Sequence, residues 1–409
     1  KRAPLPEAVR DAPAVVLGER LYLAGGVRAD GKVSAALRVY DPRADVWTQA
    51  AAMPAGRSAA AAAALDGRLY LFGGWDGQRA CDTVWVYDPS QDRWTEGGRL
   101  PQAVRGAAAL PLEGRLMVMG GGAVGIELAV LYRSFGSEVT VVEMQPSILP
   151  AIDLDLVKRI SLVLRRQGIQ IIAGTRVAAI SLAEGGLAAL LDENGSMREL
   201  LIDNILVATG RRTVIDGLGL ENIGLESVGR GLPVNLQMEI KVPGVYAVGD
   251  ATGEYMWAHA ASSEGIVAAE NCMGRKSSMD YTAMPGCIYI TPEVASVGLT
   301  EEAAKDKFSQ VAVGKFNFAA NGKAVSMGQG DGIVKIVANA LDGKVLGMHI
   351  FGPHASDLIM EGVVAVQCGI TARQLAATVH PHPSLSETVL EAAHGVHGIP
   401  LHQTGGRRI

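Results

Sequence analysis

Two stretches of the chain alternate apolar and polar residues on the same beat. Arg20-Leu-Tyr-Leu-Ala-Gly-Gly26 returns as Arg68-Leu-Tyr-Leu-Phe-Gly-Gly74, Val39-Tyr-Asp-Pro42 returns as Val86-Tyr-Asp-Pro89, and Trp47 returns as Trp94. The offset is 47 or 48 residues throughout, and the loop arginines Arg10, Arg57 and Arg105 keep the same step. Each unit predicts a short apolar strand ending at a diglycine, a polar turn, a Tyr-bearing strand, a turn at Asp-Pro and a Trp-bearing strand. A third unit opens at Val104 and runs to Gly114-Arg-Leu-Met-Val-Met-Gly-Gly121. There the period changes. From Ala123 the apolar residues follow helical spacing up to a glycine stop at Gly136, and Val139–Val142 predicts a β-branched strand ending on Glu143. A strand–helix–strand unit has replaced the repeat. Further on, Ile205–Ala208 and Val245–Val248 read as buried strands that end at Gly210 and at Gly249-Asp250, and His380-Pro-His382-Pro-Ser384-Leu-Ser386-Glu387 leads into an amphipathic helix.

A step of about 48 residues resembles the kelch repeat, and the likeness covers about residues 10–112. One blade is a small sheet that cannot bury both faces alone, and propellers close with roughly 4 to 8 blades. Two blades and the start of a third therefore predict an open β fragment with exposed outer faces.

The glycines at the change of period carry the strongest chemical signal. Gly120-x-Gly122-x-x-Gly125 follows the strand Leu116–Met119 and opens a helix, and Glu143 lies 21 residues beyond Gly122. In a dinucleotide fingerprint the first glycine makes the tight turn, the second lets the backbone approach a pyrophosphate, and the third lets helix and strand pack closely. The helix N-terminus offers free N–H groups and the positive end of its dipole to the phosphates. Glu143 would accept hydrogen bonds from a ribose 2′-OH and repel a 2′-phosphate, which favours NAD over NADP. The alternative reading takes Gly120-Gly121 as a third kelch diglycine.

Composition narrows the field. A net charge of −5 gives no basic surface for nucleic acid. No apolar run approaches the roughly 20 residues of a membrane span. The chain opens at Lys1 without a basic stretch leading into an apolar segment, so no signal peptide is read and a cytoplasmic location is expected. Cys81, Cys272, Cys287 and Cys368 are scattered, with no close pair for zinc or a local dithiol, and read as free thiols. The 50 glycines match a chain rich in tight turns.

Residues 115 to about 400 resemble the flavoprotein disulfide reductases, most of all the dihydrolipoamide dehydrogenase type. The stretches that carry the likeness are Met119–Glu127, Val139–Glu143, Ala208-Thr-Gly-Arg211, Tyr246-Ala-Val-Gly-Asp250, Thr291–Gly298 and His382-Pro-Ser-Leu-Ser-Glu387. The resemblance implies that Gly120, Gly122, Gly125, Glu143, Val177 and Gly210 line an NAD site. It also implies that Asp250 binds the ribityl chain of FAD, with Met256, Trp257, Ala258 and His259 near the flavin. His382 would be the proton acceptor for a dihydrolipoamide thiol, oriented by Glu387, and residues from 281 onward would form a homodimer. A carboxylate partner fixes the tautomer of such a histidine and raises its basicity. Two alternatives stay open: Ser384-x-x-Glu387 also reads as a helix capping box, and His259 also reads as an ordinary half-buried histidine.

The family pattern is interrupted. Its enzymes carry an FAD half-domain with its own glycine fingerprint, a redox cysteine pair with four residues between, and a lysine for Glu127. The residues preceding Gly114 hold none of these, and Cys81 is their only cysteine. The expected fold is α/β plus β: kelch-like repeats over 1–114, a doubly wound NAD domain over 115–240, a returning FAD segment over 241–280, and an α+β interface domain over 281–409. Three functions are in view: an oxidoreductase converting dihydrolipoamide and NAD+ to lipoamide and NADH through FAD, catalytically incomplete here; a kelch and NAD-binding module without catalysis; or a chimera without function.

Overall fold

The computed structural model describes residues 2–65, 67–107, 114–225 and 231–402. The chain divides into two units, Lys1–Glu113 and Gly114–Ile409.

The first unit holds two four-stranded antiparallel meanders. One runs Ala14–Leu17, Arg20–Ala24, Leu37–Asp41, Val46–Ala50, and the other Ala61–Leu65, Arg68–Phe72, Cys81–Asp88, Arg93–Val104. The repeat is physical as well as textual. The Tyr40 hydroxyl donates to Asp45 at 2.5 Å and the Tyr87 hydroxyl to Asp92 at 2.6 Å, so each turn is tied to its own strand. The indole N–H of Trp47 donates to the Ala3 carbonyl and that of Trp94 to the Ala51 carbonyl, each binding a blade to the segment before it. Tyr22, Leu37, Leu69, Leu71, Trp85 and Trp94 share one buried cluster. Trp94→Phe keeps most of the buried ring and removes the 2.9 Å bond to Ala51. It is expected to destabilise this unit by about 1 kcal/mol, measured as faster amide exchange across residues 61–104.

The expected third blade does not form from its first strand. Residues 108–113 lie outside the described residues, and Arg115–Met119 enters a parallel sheet of the second unit. Its partners are the apolar strands Glu138–Val142 and Asn204–Val207, which lie parallel to it and are reached by crossovers, as a blade strand's neighbour is not.

That sheet has four strands in the order 170–172, 138–142, 115–119, 204–207, all parallel. Leu116, Val118, Val139 and Val141 pack against Ile126 and Ala129 of helix Ala123–Ser134, and against Leu156 and Ile160 of helix Leu154–Arg166. Met117 and Val142 on the other face meet Ala189, Leu191 and Ile202. These belong to a three-stranded antiparallel meander, Arg176–Ala183, Gly186–Glu193 and Ser196–Ile202. The doubly wound expectation is corrected accordingly: helices cover one face and strands the other. The local cause is turn chemistry. Asn194 and Gly195 both adopt positive φ, as a two-residue hairpin between Glu193 and Ser196 requires, and Glu184-Gly185 turns the first hairpin between Ala183 and Gly186, with Gly185 at positive φ.

The strand expected at Val245–Val248 is also corrected. Only an isolated bridge, Glu239 to Tyr246, forms there, because no described strand stands beside it to extend a ladder. Gly249–Thr252 then makes a 3-10 turn and Ala258–Cys272 a helix. Beyond it, five antiparallel strands lie in the order 286–288, 293–298, 345–352, 333–339, 311–317. Helices Ala355–Gln367 and Glu387–Val396 pack on this sheet through Ile359, Ala365, Val389 and Ala392. Among the described residues no helix is long and apolar enough to cross a membrane.

Candidate functional site

The turn from Met119 into the helix depends on three glycines with three different constraints. Gly120 has φ +109°, and a Cβ there would stand 2.4 Å from the Ala208 carbonyl oxygen. A Cβ on Gly125 would stand 1.9 Å from the Gly120 carbonyl oxygen, so the helix can approach the strand only with glycine there. A Cβ on Gly122 would meet nothing within 4 Å. Gly122 is therefore not required by the protein's own packing, and the space over it is open to a ligand backbone. It also caps the helix without a side-chain hydrogen bond, which leaves the first N–H groups unclaimed.

These features separate the turn from the blade diglycines. Gly25, Gly26, Gly73 and Gly74 all have positive φ, whereas of Gly120 and Gly121 only Gly120 does. The sequence likeness between the two kinds of turn is not a backbone likeness.

Glu143 sits at the end of the neighbouring strand. Its Oε2 accepts the Gly121 N–H at 2.5 Å and its Oε1 accepts the Gln145 N–H at 2.7 Å. The carboxylate is thus fixed against the glycine loop. Gly210 follows Ala208, whose N–H donates to the Met119 carbonyl at 2.8 Å, so the 208–210 loop borders the same turn. Val177 lies in the meander, paired with Leu191, and is packed with Met117 and Val142.

A second group forms around Asp250. Arg211 is ion-paired with its carboxylate and donates to the Met256 carbonyl at 2.9 Å. Trp257 stacks on His259 with ring centroids 5.6 Å apart, and the Nε2 of His259 is 2.8 Å from the Pro285 carbonyl. Ala258 begins the following helix. Glu127 accepts the Tyr289 N–H at 2.7 Å. Two members of this group escaped sequence reasoning. Arg211 is one, although it stood inside a quoted motif. The other is Glu264, fully buried, which accepts the Gly249 N–H at 2.6 Å and the Tyr281 hydroxyl at 2.9 Å. The signal for Glu264 was its helical spacing with Ala260 and Ala268, both buried.

The third group lies at the start of helix Glu387–Val396. His382 Nδ1 stands 2.8 Å from Glu387 Oε1, and Glu387 Oε2 accepts the Ser384 N–H at 2.8 Å. One carboxylate thus serves both the histidine and the backbone. Ser384 is not the helix N-cap; Ser386 is, and it makes no side-chain capping bond. The Glu387 carboxyl is held below its ordinary range: partial burial works to raise it, and the Ser384 N–H and His382 outweigh that effect.

Residues 88–265 match the family described as pyridine nucleotide-disulphide oxidoreductase, and residues 284–393 match its dimerisation domain. The chain carries the domains of this family. Residues 2–134 match the KLHDC2/KLHL20/DRC7 Kelch-repeats domain, so the two matches overlap from 88 to 134, across the change of period. Dihydrolipoyl dehydrogenase of Thermus scotoductus is 43% identical over 69% of this chain and 62% of its own length. That of Geobacillus stearothermophilus is 40% identical over 69% of this chain and 60% of its own length. The chain therefore spans about 60% of the length of the curated relatives it matches. Among solved structures, the Cu(II) complex of the HOCl-induced flavoprotein disulfide reductase RclA from Escherichia coli superposes with a TM-score of 0.63 at 28% identity, over 68% of this chain and 64% of that one. LpdA from Mycobacterium tuberculosis has a TM-score of 0.63 at 23% identity, over 83% of this chain and 76% of that one, a likeness of fold.

Proposed function

We propose that this chain is an NAD-binding protein of dihydrolipoyl dehydrogenase descent whose 409 residues do not themselves oxidise dihydrolipoamide. One observation carries the NAD reading: an uncapped helix N-terminus over Gly122, with open space above it and Glu143 locked beside it. The helix end would hold the pyrophosphate and Glu143 the adenosine ribose. Gly120, Gly125, Gly210 and Val177 would shape the walls. When bound, NAD+ supplies a hydride acceptor; the protein's part is to bind it and orient it.

FAD fits less well. Asp250, the residue that the family likeness assigns to the ribityl chain, is already paired with Arg211, and Arg211 is tied to Met256. Glu127 has given its carboxylate to the Tyr289 backbone. The residues preceding Gly114 supply no second glycine fingerprint. Dithiol oxidation meets a further obstacle, because the four cysteines are free and no two are close in the sequence. In this reading His382 and Glu387 keep the geometry of an acid–base pair without a sulfur to serve. Residues 115–240 would bind NAD, 241–280 would be a returning segment of an FAD domain, and 281–409 would form a homodimer interface, with a lipoyl partner by descent alone.

Calorimetric titration is expected to give one NAD+ site per chain, with NADP+ at least tenfold weaker because the Glu143 carboxylate repels a 2′-phosphate. Glu143→Ala is expected to lose most of the NAD+ affinity, since it removes both the ribose acceptor and the latch on Gly121. Absence of NAD+ binding to the parent chain would overturn the proposal. A stoichiometric yellow flavin spectrum together with NADH formation from dihydrolipoamide would overturn its second half.

A further inference from the structure

His382 presents a mechanical problem. Its side chain is 81% exposed, so no packing holds the imidazole, and a single bond to Glu387 restrains it. Its position has to come from the backbone on either side. On the C-terminal side the anchor is double. Ser384 donates its N–H to Glu387, and its carbonyl accepts from the side chain of Asn321, which is buried.

On the N-terminal side the anchor is another histidine. The His380 side chain is only 5% exposed, and both ring nitrogens face acceptors. Nδ1 stands 2.9 Å from the Thr378 carbonyl and Nε2 stands 3.0 Å from Glu361 Oε2. A carbonyl and a carboxylate can only accept, so both nitrogens must carry protons, which makes His380 an imidazolium. Its pKa is raised above the ordinary histidine range by the Glu361 bond, against the opposing effect of burial, with smaller help from Thr378 and Glu387. Glu361 stands on helix Ala355–Gln367, fixed to the sheet by Ile359, Val363 and Ala365.

Two prolines connect this anchor to the exposed histidine. In His380-Pro381-His382-Pro383 each proline fixes its own φ, and each histidine precedes a proline and is confined to extended conformations. Few free torsions lie between the His380 ring and the His382 Cα. We infer that Glu361 and His380 are positioning residues for His382: the buried imidazolium–carboxylate pair sets the backbone from which the His382 imidazole reaches Glu387. The inference concerns the retained geometry of the His382–Glu387 pair described under the proposed function, and its test does not depend on that proposal.

The test uses the intact chain with ¹⁵N-labelled histidine, eight residues in all. In the parent, the His380 signals, identified by their loss in His380→Gln, should show both ring nitrogens protonated at neutral pH. In Glu361→Gln the His380 titration should fall to or below that of an ordinary histidine. The backbone order parameter at His382 should drop from about 0.85 to below about 0.6, and the hydrogen-bonded Nδ1–H signal of His382 should disappear. Glu361→Asp should restore both His382 signals, which separates positioning from a general loss of structure. If Glu361→Gln does not fold, His380→Gln reads the same His382 signals. Unchanged His382 order and Nδ1–H in a folded variant that has lost the His380 charge would overturn the inference. None of these signals depends on turnover or NAD+ affinity, so they can fail while the NAD proposal stands, and the reverse.

Discussion

Gly122→Ala is expected to weaken NAD+ binding at least tenfold, about 1.4 kcal/mol, and to leave the stability of the protein unchanged, whereas Gly125→Ala is expected to lower stability whatever happens to NAD+. Gly122 has φ −72° and an added Cβ would meet no atom within 4 Å. An alanine fits there at no steric cost to the apoprotein. The methyl would stand in the open space over the helix end, where the pyrophosphate has to come close to the backbone. Gly125 is different. The added Cβ would stand 1.9 Å from a backbone oxygen, Gly120 O, with the Val118 side chain 3.4 Å away. Neither a strand backbone nor a helix can yield the ångström or more that this contact demands without moving the sheet. Overpacking of this kind costs about 3 kcal/mol, seen as an earlier midpoint in urea. Two measurements on two variants decide the matter. If Gly122→Ala binds NAD+ like the parent, the pyrophosphate does not lie over the helix end. If Gly125→Ala melts like the parent, the close approach of helix and strand is not as drawn.

The sequence made the glycine turn, the acid at the strand end and the His382–Glu387 spacing legible because each is a local requirement: a φ, a contact distance, a hydrogen bond between near neighbours in the chain. Its fingerprint spacing already separates Gly122, free for a ligand to approach, from Gly125, forced by packing, and the surroundings add the contact distances that make the difference a stability difference. The meander over 176–202 was announced by Asn194-Gly195, a strong hairpin signal, but a helix on the second face was expected from fold analogy and the signal went unused. The Val245–Val248 strand failed for the opposite reason. Its residues have strand character, and a strand needs a neighbour that lies elsewhere in the chain or in no described part of it. Arg211 and Glu264 were missed because their partners are distant in sequence: Asp250 is 39 residues from Arg211, and Glu264 is 15 from Gly249.

The same blindness to distance hid the most strongly charged contact of the second unit, and there the largest loss of stability is expected. Lys335 lies in the strand Ile333–Asn339 with its side chain fully buried, and its ammonium meets Asp153, Asp155 and Glu301 at 2.7–2.8 Å. Asp153 is itself fully buried, caps helix Leu154–Arg166 and accepts the Glu301 N–H. One cation therefore ties the helix behind the glycine sheet to the five-stranded sheet. Burial alone would lower the Lys335 pKa, but the three carboxylates reverse that and hold it raised. Lys335→Met keeps the length of the side chain and removes the charge, leaving a buried carboxylate without its partner. Breaking a buried pair in this way costs about 3–5 kcal/mol. Lys315 still reaches Asp155, and Lys305 still reaches Glu301, but among the described residues no other lysine bonds to Asp153. The pH dependence follows from the acids. Burial raises the Asp155 carboxyl, the Lys315 and Lys335 ammonium groups outweigh it, and the net position is about 2. An unfolded aspartate titrates near 3.9. A folded pKa below the unfolded one means stability that is fully present above about pH 4 and lost as pH falls through about 2. In Lys335→Met this acid-sensitive part should shrink, because Asp155 and Glu301 each lose one of the two cations that hold them ionised. Denaturant midpoints at pH 7 and pH 3 measure both effects: the variant should lose most at pH 7, and the gap between the two proteins should be narrower at pH 3 without closing. An unchanged midpoint at pH 7 would show that the ammonium does not join the two elements.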